Sequence, residues 1–338
     1  MRILVAGGAG FLGSNLVERL LMEGHQITLL DLFTTGHESN IKHFSTHQNL
    51  QIMRRDVTES LDDIPPTDQI YHLACPASPT HYQDDPIHTL QTCFLGTQNL
   101  LELALRTGAR LLFASTSEVY GDSTVCPQPE TYFGNVNPYG PRACYDEGKR
   151  VGEALCYAYQ TQNRLSVRIA RIFNAYGPGM PASDGRVMSN FIHSAMNKRP
   201  LVITGDGASV RSFQYVDDCV EGLVRLMASD WDRPVNIGSE DMIRVDNLAK
   251  TILRIVRDMG YEVIQKPVVF EDALEDDPTL RQPDCALARD VLGGWRPTVR
   301  LEDGIKKTIE WFQSIENHES TQSKREASIA RVETPESK

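Results

Sequence analysis

Short apolar runs alternate with longer amphipathic stretches along the first half of the chain. Arg2–Ala6, Gln26–Leu30, Leu50–Arg54, Gln69–Leu73, Arg110–Ser115 and Leu165–Ala170 have strand length and are mostly apolar. Between them, Phe11–Glu23, Ile87–Thr107 and Ala143–Gln162 read as helices. In the second of these, Leu90, Phe94, Leu101 and Leu105 recur at helical spacing. Such alternation predicts a parallel sheet covered by helices on both faces.

Beyond residue 171 the elements shorten and Gly and Pro become more frequent. Helices are expected at Arg186–Asn197, Asp217–Ser229, Val245–Met259, Ala286–Leu292 and Leu301–Ser314. The expected fold is α/β: a Rossmann-type doubly wound parallel sheet with a smaller C-terminal α/β substrate-binding lobe. Residues 1–171 read as the dinucleotide-binding domain, and 172–315 mainly as the lobe, with crossings back to the first domain. Residues 316–338, rich in Ser and Glu and without aromatics, read as a disordered polar tail.

Composition narrows the partners. With 41% hydrophobic and 23% charged residues, the 338-residue chain has ordinary globular make-up and length for a large core. A net charge of −11 argues against nucleic acid, while leaving room for a small anionic ligand held by a few local cations. Met1 runs directly into Ile3-Leu4-Val5, which is read as lacking a signal peptide, and no apolar run has the length of a membrane span. The seven cysteines, at 75, 93, 126, 144, 156, 219 and 285, form no C-x-x-C pair. That pattern fits free thiols in the cytoplasm better than a disulfide framework or a zinc site, so no metal is expected.

The strongest local signal is strand, then Gly7-Gly8-Ala9-Gly10-Phe11-Leu12-Gly13, then helix. Missing side chains let the backbone turn tightly and approach a pyrophosphate at the positive end of the helix. Asp31 closes the second strand at the spacing of a carboxylate that binds an adenosine ribose. Its charge would repel a 2′-phosphate and Leu32 offers no compensating cation, so NAD is expected over NADP. Leu32, Phe33, Thr34, Thr35 and Gly36 would continue the cofactor wall, with Asp56 and Val57 toward the adenine and Leu73 farther along the sheet.

Tyr145 and Lys149 lie four apart in an expected helix and so share one face. A phenol titrating near 10 becomes a usable base only beside positive charge. Thr116, at the carboxyl end of the fifth strand, would bond the same substrate oxygen that Tyr145 deprotonates.

The G-x-x-G-x-x-G turn, Thr116-Ser117-Glu118-Val119-Tyr120-Gly121 and Tyr145-x-x-x-Lys149 together resemble the extended short-chain dehydrogenase/reductase family. Within it the chain looks most like the UDP-glucuronate decarboxylases, also called UDP-xylose synthases, from Met1 to about Phe312. Pro76-Ala77-Ser78-Pro79, the run from Pro141 to Arg150, Ala170–Asn174, Asp184–Val187, Arg211–Val216 and Arg281–Asp284 carry this finer likeness.

The resemblance implies oxidation at C4 of UDP-glucuronate by NAD⁺, loss of CO2 from the 4-keto intermediate, and re-reduction to UDP-xylose. Dehydratases of the family carry Asp-Glu where this chain has Ser117-Glu118, and 4-epimerases small apolar residues. By resemblance Ser117 and Glu118 act near C5 and the carboxylate, and Arg281 assists the enolate. Asn174, Asn190, Arg211 and Tyr215 would hold the nucleotide-sugar. Tyr82, in the loop after the fourth strand, would meet the sugar, and Arg186 the cofactor or the diphosphate. Helices Ile87–Thr107 and Ala143–Gln162 resemble those that pair in family homodimers.

Three departures stand out: Gln91 and Cys93 replace a Lys and an Asn common in these relatives, Gln282 a Lys, and Gly293-Gly294-Trp295 is one residue longer. A 4-epimerase or 4,6-dehydratase, or a non-catalytic dinucleotide-binding protein, is the alternative.

Overall fold

A computed structural model describes residues 1–182, 184–272 and 280–315; the expected tail at 316–338 lies outside them. Six strands follow the sequence pattern closely: β1 (Arg2–Ala6), β2 (Gln26–Asp31), β3 (Leu50–Arg54), β4 (Gln69–His72), β5 (Arg110–Thr116) and β6 (Val167–Ile172). They pair in parallel in the order β6-β5-β4-β1-β2-β3, and Pro234–Ile237 adds a seventh strand beside β6.

Both faces of this sheet are buried, as near-continuous apolar runs require. Alternate residues of β1 show it: Ile3 and Val5 join one apolar cluster, Leu4 and Ala6 the other. The first cluster packs Leu16, Val17 and Leu20 of the Phe11–Met22 helix against the sheet. It also continues without a break into Phe191, Leu201 and Ile252 of the C-terminal half, so sheet and lobe share one core.

The seventh strand was not visible in the sequence pattern. It is four residues long and begins with Pro. Its buried Asn236 satisfies its amide internally, accepting from the Tyr120 hydroxyl and donating to the carbonyls of Gln128 and Asp284.

The expected helix Ile87–Thr107 is instead three pieces: Pro86–Gln91, a π-helical turn Thr92–Gly96, and Thr97–Thr107. The wider turn shifts the phase of the apolar stripe. Leu101 is buried, whereas Leu90, Phe94 and Leu105 stay more than two-fifths exposed. Tyr82 also differs from expectation, standing in a short helix, Pro79–Asp84, rather than a loop.

In the C-terminal half, Val210–Ser212 pairs antiparallel with Met242–Arg244 and parallel with Leu280–Arg281. Leu201–Thr204 pairs with Val268–Glu271. Helices Val187–Met196, Val216–Ala228, Val245–Asp258 and Ala286–Val291 and the helical residues 301–315 lie within one or two residues of the sequence pattern. Strand order reverses between β1 and β4, and the main cleft opens at the carboxyl ends of these strands.

Candidate active site

The cleft spans about 1540 Å³ when the solvent at its open mouth is included. At its floor the chain leaves β1 through Gly7, whose φ of 80° lies in the left-handed region. A Cβ at Gly7 would sit 2.7 Å from Ala74 N, and one at Gly13 only 2.0 Å from the Gly7 carbonyl oxygen. Side chains at either position would fill the cradle. Gly10 stands at the N-cap of the Phe11–Met22 helix without a capping side chain. Gly10, Phe11, Leu12 and Gly13 therefore line the cleft around the helix N-terminus, where an anion is favoured.

Asp31 organises the next turn. One oxygen accepts from Ala9 N at 2.8 Å and the other from Phe33 N at 2.7 Å. Burial raises its pKa, opposed by these two amides and by the Arg54 charge. Leu32, Thr34, Thr35, Gly36, Asp56, Val57 and Leu73 line the same cleft. Phe33 does not: its ring lies under the Arg54 guanidinium at 4.5 Å, and only its backbone supports Asp31. Asp56 accepts from Thr58 N and pairs with His88 at 2.7 Å; these contacts outweigh burial and lower its pKa. The glycine cradle, the helix N-terminus and the buried ribose-type carboxylate fit a dinucleotide.

At the other end, Thr116 closes β5 and its hydroxyl accepts from Glu118 N, starting the 3-10 turn Ser117–Tyr120. Tyr145 is buried on the Ala143–Asn163 helix, with Thr116 near its hydroxyl and its ring stacked on Tyr82 at 5.0 Å. Burial holds its pKa well above the usual value, and the Cys75 and Glu118 charges add to this. Lys149 shares the helix face, but its Nζ donates to Ala114 O at 2.9 Å and lies 5.8 Å from the Tyr145 ring centroid. Lys149 is tied to the sheet, so forming the phenolate needs further positive charge in the cleft.

Glu118 is the centre of a charge cluster that no short sequence window contains. Arg281 grips both its oxygens, at 2.5 and 2.7 Å, and Arg142 adds a bond at 2.7 Å. Burial opposes the Glu118 charge, but the two guanidiniums win and lower its pKa. Asp146 lies 3.7 Å from Arg142, and burial together with the Glu118 charge raises its pKa to about 7. The cluster thus sets two arginines against two carboxylates, and Glu118 is the member whose charge reaches Tyr145. Arg142 and Asp146 were not among the expected site residues. Both stand in the helix start that carries Tyr145, the one signal pointing to them.

The remaining expected residues divide. Ser117, Asn174 and Arg186 line the cleft; Asn174 donates to Ser212 O and Arg186 lies 3.3 Å from Asp184. Tyr82 is buried, and its hydroxyl, near the Arg142, Glu118 and Asp146 charges, has no partner among the described residues. Arg211 stands directly across from Arg281 in the paired lobe strands. Asn190, on the Val187–Met196 helix, and Tyr215, edge-on to Tyr176 at 5.7 Å, lie outside the cleft lining. Among the described residues no His, Cys, Asp or Glu group is suited to a metal ion, and no helix is long and apolar enough to cross a membrane.

The family model described as "NAD dependent epimerase/dehydratase family" matches residues 3–238, most of the chain. The chain belongs to that family. Among its relatives, UDP-glucuronic acid decarboxylase 1 of Xenopus tropicalis is 49% identical over 319 residues, covering 94% of this chain and 74% of the relative. The fold is shared with UDP-glucose 4-epimerase of Thermotoga maritima, solved with UDP-glucose (TM-score 0.84, 28% identity, 93% of this chain and 99% of that one). A Tyr→Phe variant of UDP-glucuronic acid 4-epimerase from Bacillus cereus, solved with UDP-4-deoxy-4-fluoro-glucuronic acid and NAD, superposes with a TM-score of 0.80 (26% identity, 93% and 100% covered). Both of these proteins thus hold a UDP-sugar, and the second also NAD, on the fold described above.

Proposed function

We propose that this protein is an NAD-dependent UDP-glucuronate decarboxylase that makes UDP-xylose. The observation that carries the reading is Glu118 held between Arg281 and Arg142 next to the Thr116–Tyr145 pair. Such a cluster, with two guanidiniums drawn together at one end of the sheet, suits a sugar that bears a carboxylate. A dehydratase would need an acid in place of Ser117 to protonate departing water, whereas CO2 leaves without a proton.

NAD⁺ in the cleft supplies a hydride acceptor for C4 and a hydride donor for the last step. Tyr145 takes the proton of the C4 hydroxyl while Thr116 holds that oxygen. In the resulting 4-keto sugar the C5–C6 bond breaks, CO2 departs, and its electron pair becomes an enolate conjugated with C4. In this reading Arg281, through its grip on Glu118, stabilises the enolate and the cluster directs the proton to C5. Tyr145 then returns its proton as C4 is reduced, so the reaction is redox-neutral.

For binding, Gly7, Gly10, Gly13 and Asp31 hold the dinucleotide, with Arg186 at its far end. Asn174, Asn190 and Arg211 take the nucleotide-sugar, with Tyr82 at the sugar. Tyr215 braces the lobe wall. Residues 1–171 thus form the dinucleotide-binding part and 172–315 mainly the substrate lobe.

The protein acts in the cytoplasm as a homodimer. The exposed Ile87 (70%) on the Pro86–Gln91 helix, Phe94 (43%) on the π-helical turn after it and Tyr157 (68%) on the neighbouring Ala143–Asn163 helix support pairing of these elements between copies. Sedimentation at micromolar concentration tests it, a monomer being the contrary result. The test of the activity is UDP-glucuronate labelled at C6: labelled CO2 and UDP-xylose are expected. A 4-epimer without CO2 would replace this reading with an epimerase.

A further inference from the structure

Three cysteines stand beside Tyr145 without a part in the reaction above. Cys75 lies in the cleft wall just beyond β4, and Cys93 in the π-helical turn Thr92–Gly96. Their sulphurs are 3.4 Å apart and both thiols are free. The third, Cys144, donates to the Tyr82 carbonyl oxygen at 3.5 Å, and burial raises its pKa.

The close pair is chemically unequal. The hydrogen bond with Cys93 lowers the Cys75 pKa to about 7, helped by the Lys149 and His88 charges and opposed by burial. Cys93 moves the other way, raised by its bond to Cys75 and by burial. A thiolate open to the cleft beside a buried thiol is the arrangement of an attacking and a resolving cysteine.

We propose that Cys75 and Cys93 are a hydroperoxide-sensitive dithiol that closes to a disulfide and reversibly shuts down the neighbouring cleft. The Cys75 thiolate attacks one peroxide oxygen, the O–O bond breaks, and the leaving oxygen takes a proton as water or alcohol. Cys75 is then a sulfenic acid. The Cys93 sulphur attacks it, loses its proton, and displaces hydroxide as water. Two thiols have given two electrons to the peroxide, and an external dithiol reverses the change by exchange.

Closure requires the sulphurs to approach by about 1.4 Å, from 3.4 Å to a bonded separation near 2.05 Å. Both sides are packed against other parts of the site. Ala74, next to Cys75, lies so near Gly7 of the dinucleotide turn that a Cβ there would sit 2.7 Å from the Ala74 amide nitrogen. Cys93 packs on Gly148, where a Cβ would lie 3.0 Å from its sulphur, between Tyr145 and Lys149. Displacement by an ångström at such a site costs roughly 10²-fold in rate.

The test treats the full-length, NAD-loaded protein with hydrogen peroxide and follows mass, NAD affinity and CO2 release. Asp84 and Asp85 stand between the two cysteines, so cleavage there separates them unless they are joined. Expected are the loss of two hydrogen masses, a peptide joined at Cys75–Cys93, and a roughly 10²-fold fall in turnover that dithiothreitol restores. Cys93→Ser is expected to form no such link and to stop at a Cys75 sulfenic acid that dimedone traps.

A map without the Cys75–Cys93 link overturns the proposal whether or not the variant folds. So does a linked protein with unchanged NAD affinity and turnover. Should reduced protein release no CO2, the decarboxylase reading fails, while the mass map and NAD affinity still decide this one.

Discussion

Arg281 holds both carboxylate oxygens of Glu118 across 163 residues of sequence, at 2.5 and 2.7 Å. The pair joins the lobe strand Leu280–Arg281 to the turn that follows β5, with Arg281 buried and the Glu118 side chain 12% exposed. It is a clasp between the two halves of the molecule, and in the proposed reaction it also serves the enolate.

Arg281→Gln should separate these two roles. Turnover of UDP-glucuronate is expected to fall on the order of 10²-fold, as for loss of an oxyanion partner, with NAD affinity unchanged. Stability should drop by roughly 3 kcal/mol at most, because Arg142 still compensates the buried Glu118. Steady-state CO2 release and a thermal melt read the two effects. Full activity in Arg281→Gln would remove this arginine from the mechanism.

Tyr145→Phe keeps the stack on Tyr82 and deletes only the hydroxyl near Thr116. Turnover should fall by about 10²–10⁴-fold while NAD still binds, since proton transfer is lost and the dinucleotide cradle is untouched. Fluorescence titration with NAD alongside the activity assay makes the distinction. Wild-type turnover would show that another group is the base.

Asp31→Ala removes the acceptor of the Ala9 and Phe33 amides. Leaving such amides unsatisfied costs about 1–3 kcal/mol, so a lower Tm is expected. NAD affinity should fall by about tenfold or more, while NADP, no longer repelled by the carboxylate, loses less. Comparative Kd values for the two dinucleotides check this; equal losses would assign Asp31 to structure alone.

Asp146 should make stability depend on pH in an unusual direction. Its folded pKa is about 7, above the ordinary value of 3.8. Below the lower value both states bind the proton. Between the two values the unfolded chain releases it first, so stability falls as pH rises and the loss is complete above the folded pKa. Asp146→Asn should therefore shrink the drop in Tm between about pH 5 and about pH 8. Melts of both proteins across that range give the answer, and parallel curves would contradict the raised pKa.

Much of the fold was legible because a parallel sheet writes its own pattern: strands buried on both faces carry unbroken apolar runs, as Ile3–Ala6 of β1 and Leu111–Ala114 of β5 do. The dinucleotide turn was equally legible, since Gly7 and Gly13 answer a local steric demand and lie beside Asp31 in the fold. The Tyr145–Lys149 spacing could be read from helical geometry alone, though not that Lys149 is bonded to Ala114 O.

Elements and contacts set by distant chain segments were not legible. Pro234–Ile237 is too short and too polar to declare itself, and only β6 and the partners of Asn236 make it a strand. The π-turn at Thr92–Gly96 moved three leucine and phenylalanine side chains of an apparent core stripe into partial exposure. Glu118 with Arg142 and Arg281, and Cys75 with Cys93, meet because separate elements converge at one end of the sheet. The sequence by itself determined the local geometry: the strands, the glycine turn, and which residue types were at hand for chemistry. Tertiary structure alone decided which charges and thiols face each other. A helix or turn needs only near neighbours, whereas a buried ion pair or a dithiol depends on distances that no sequence spacing encodes.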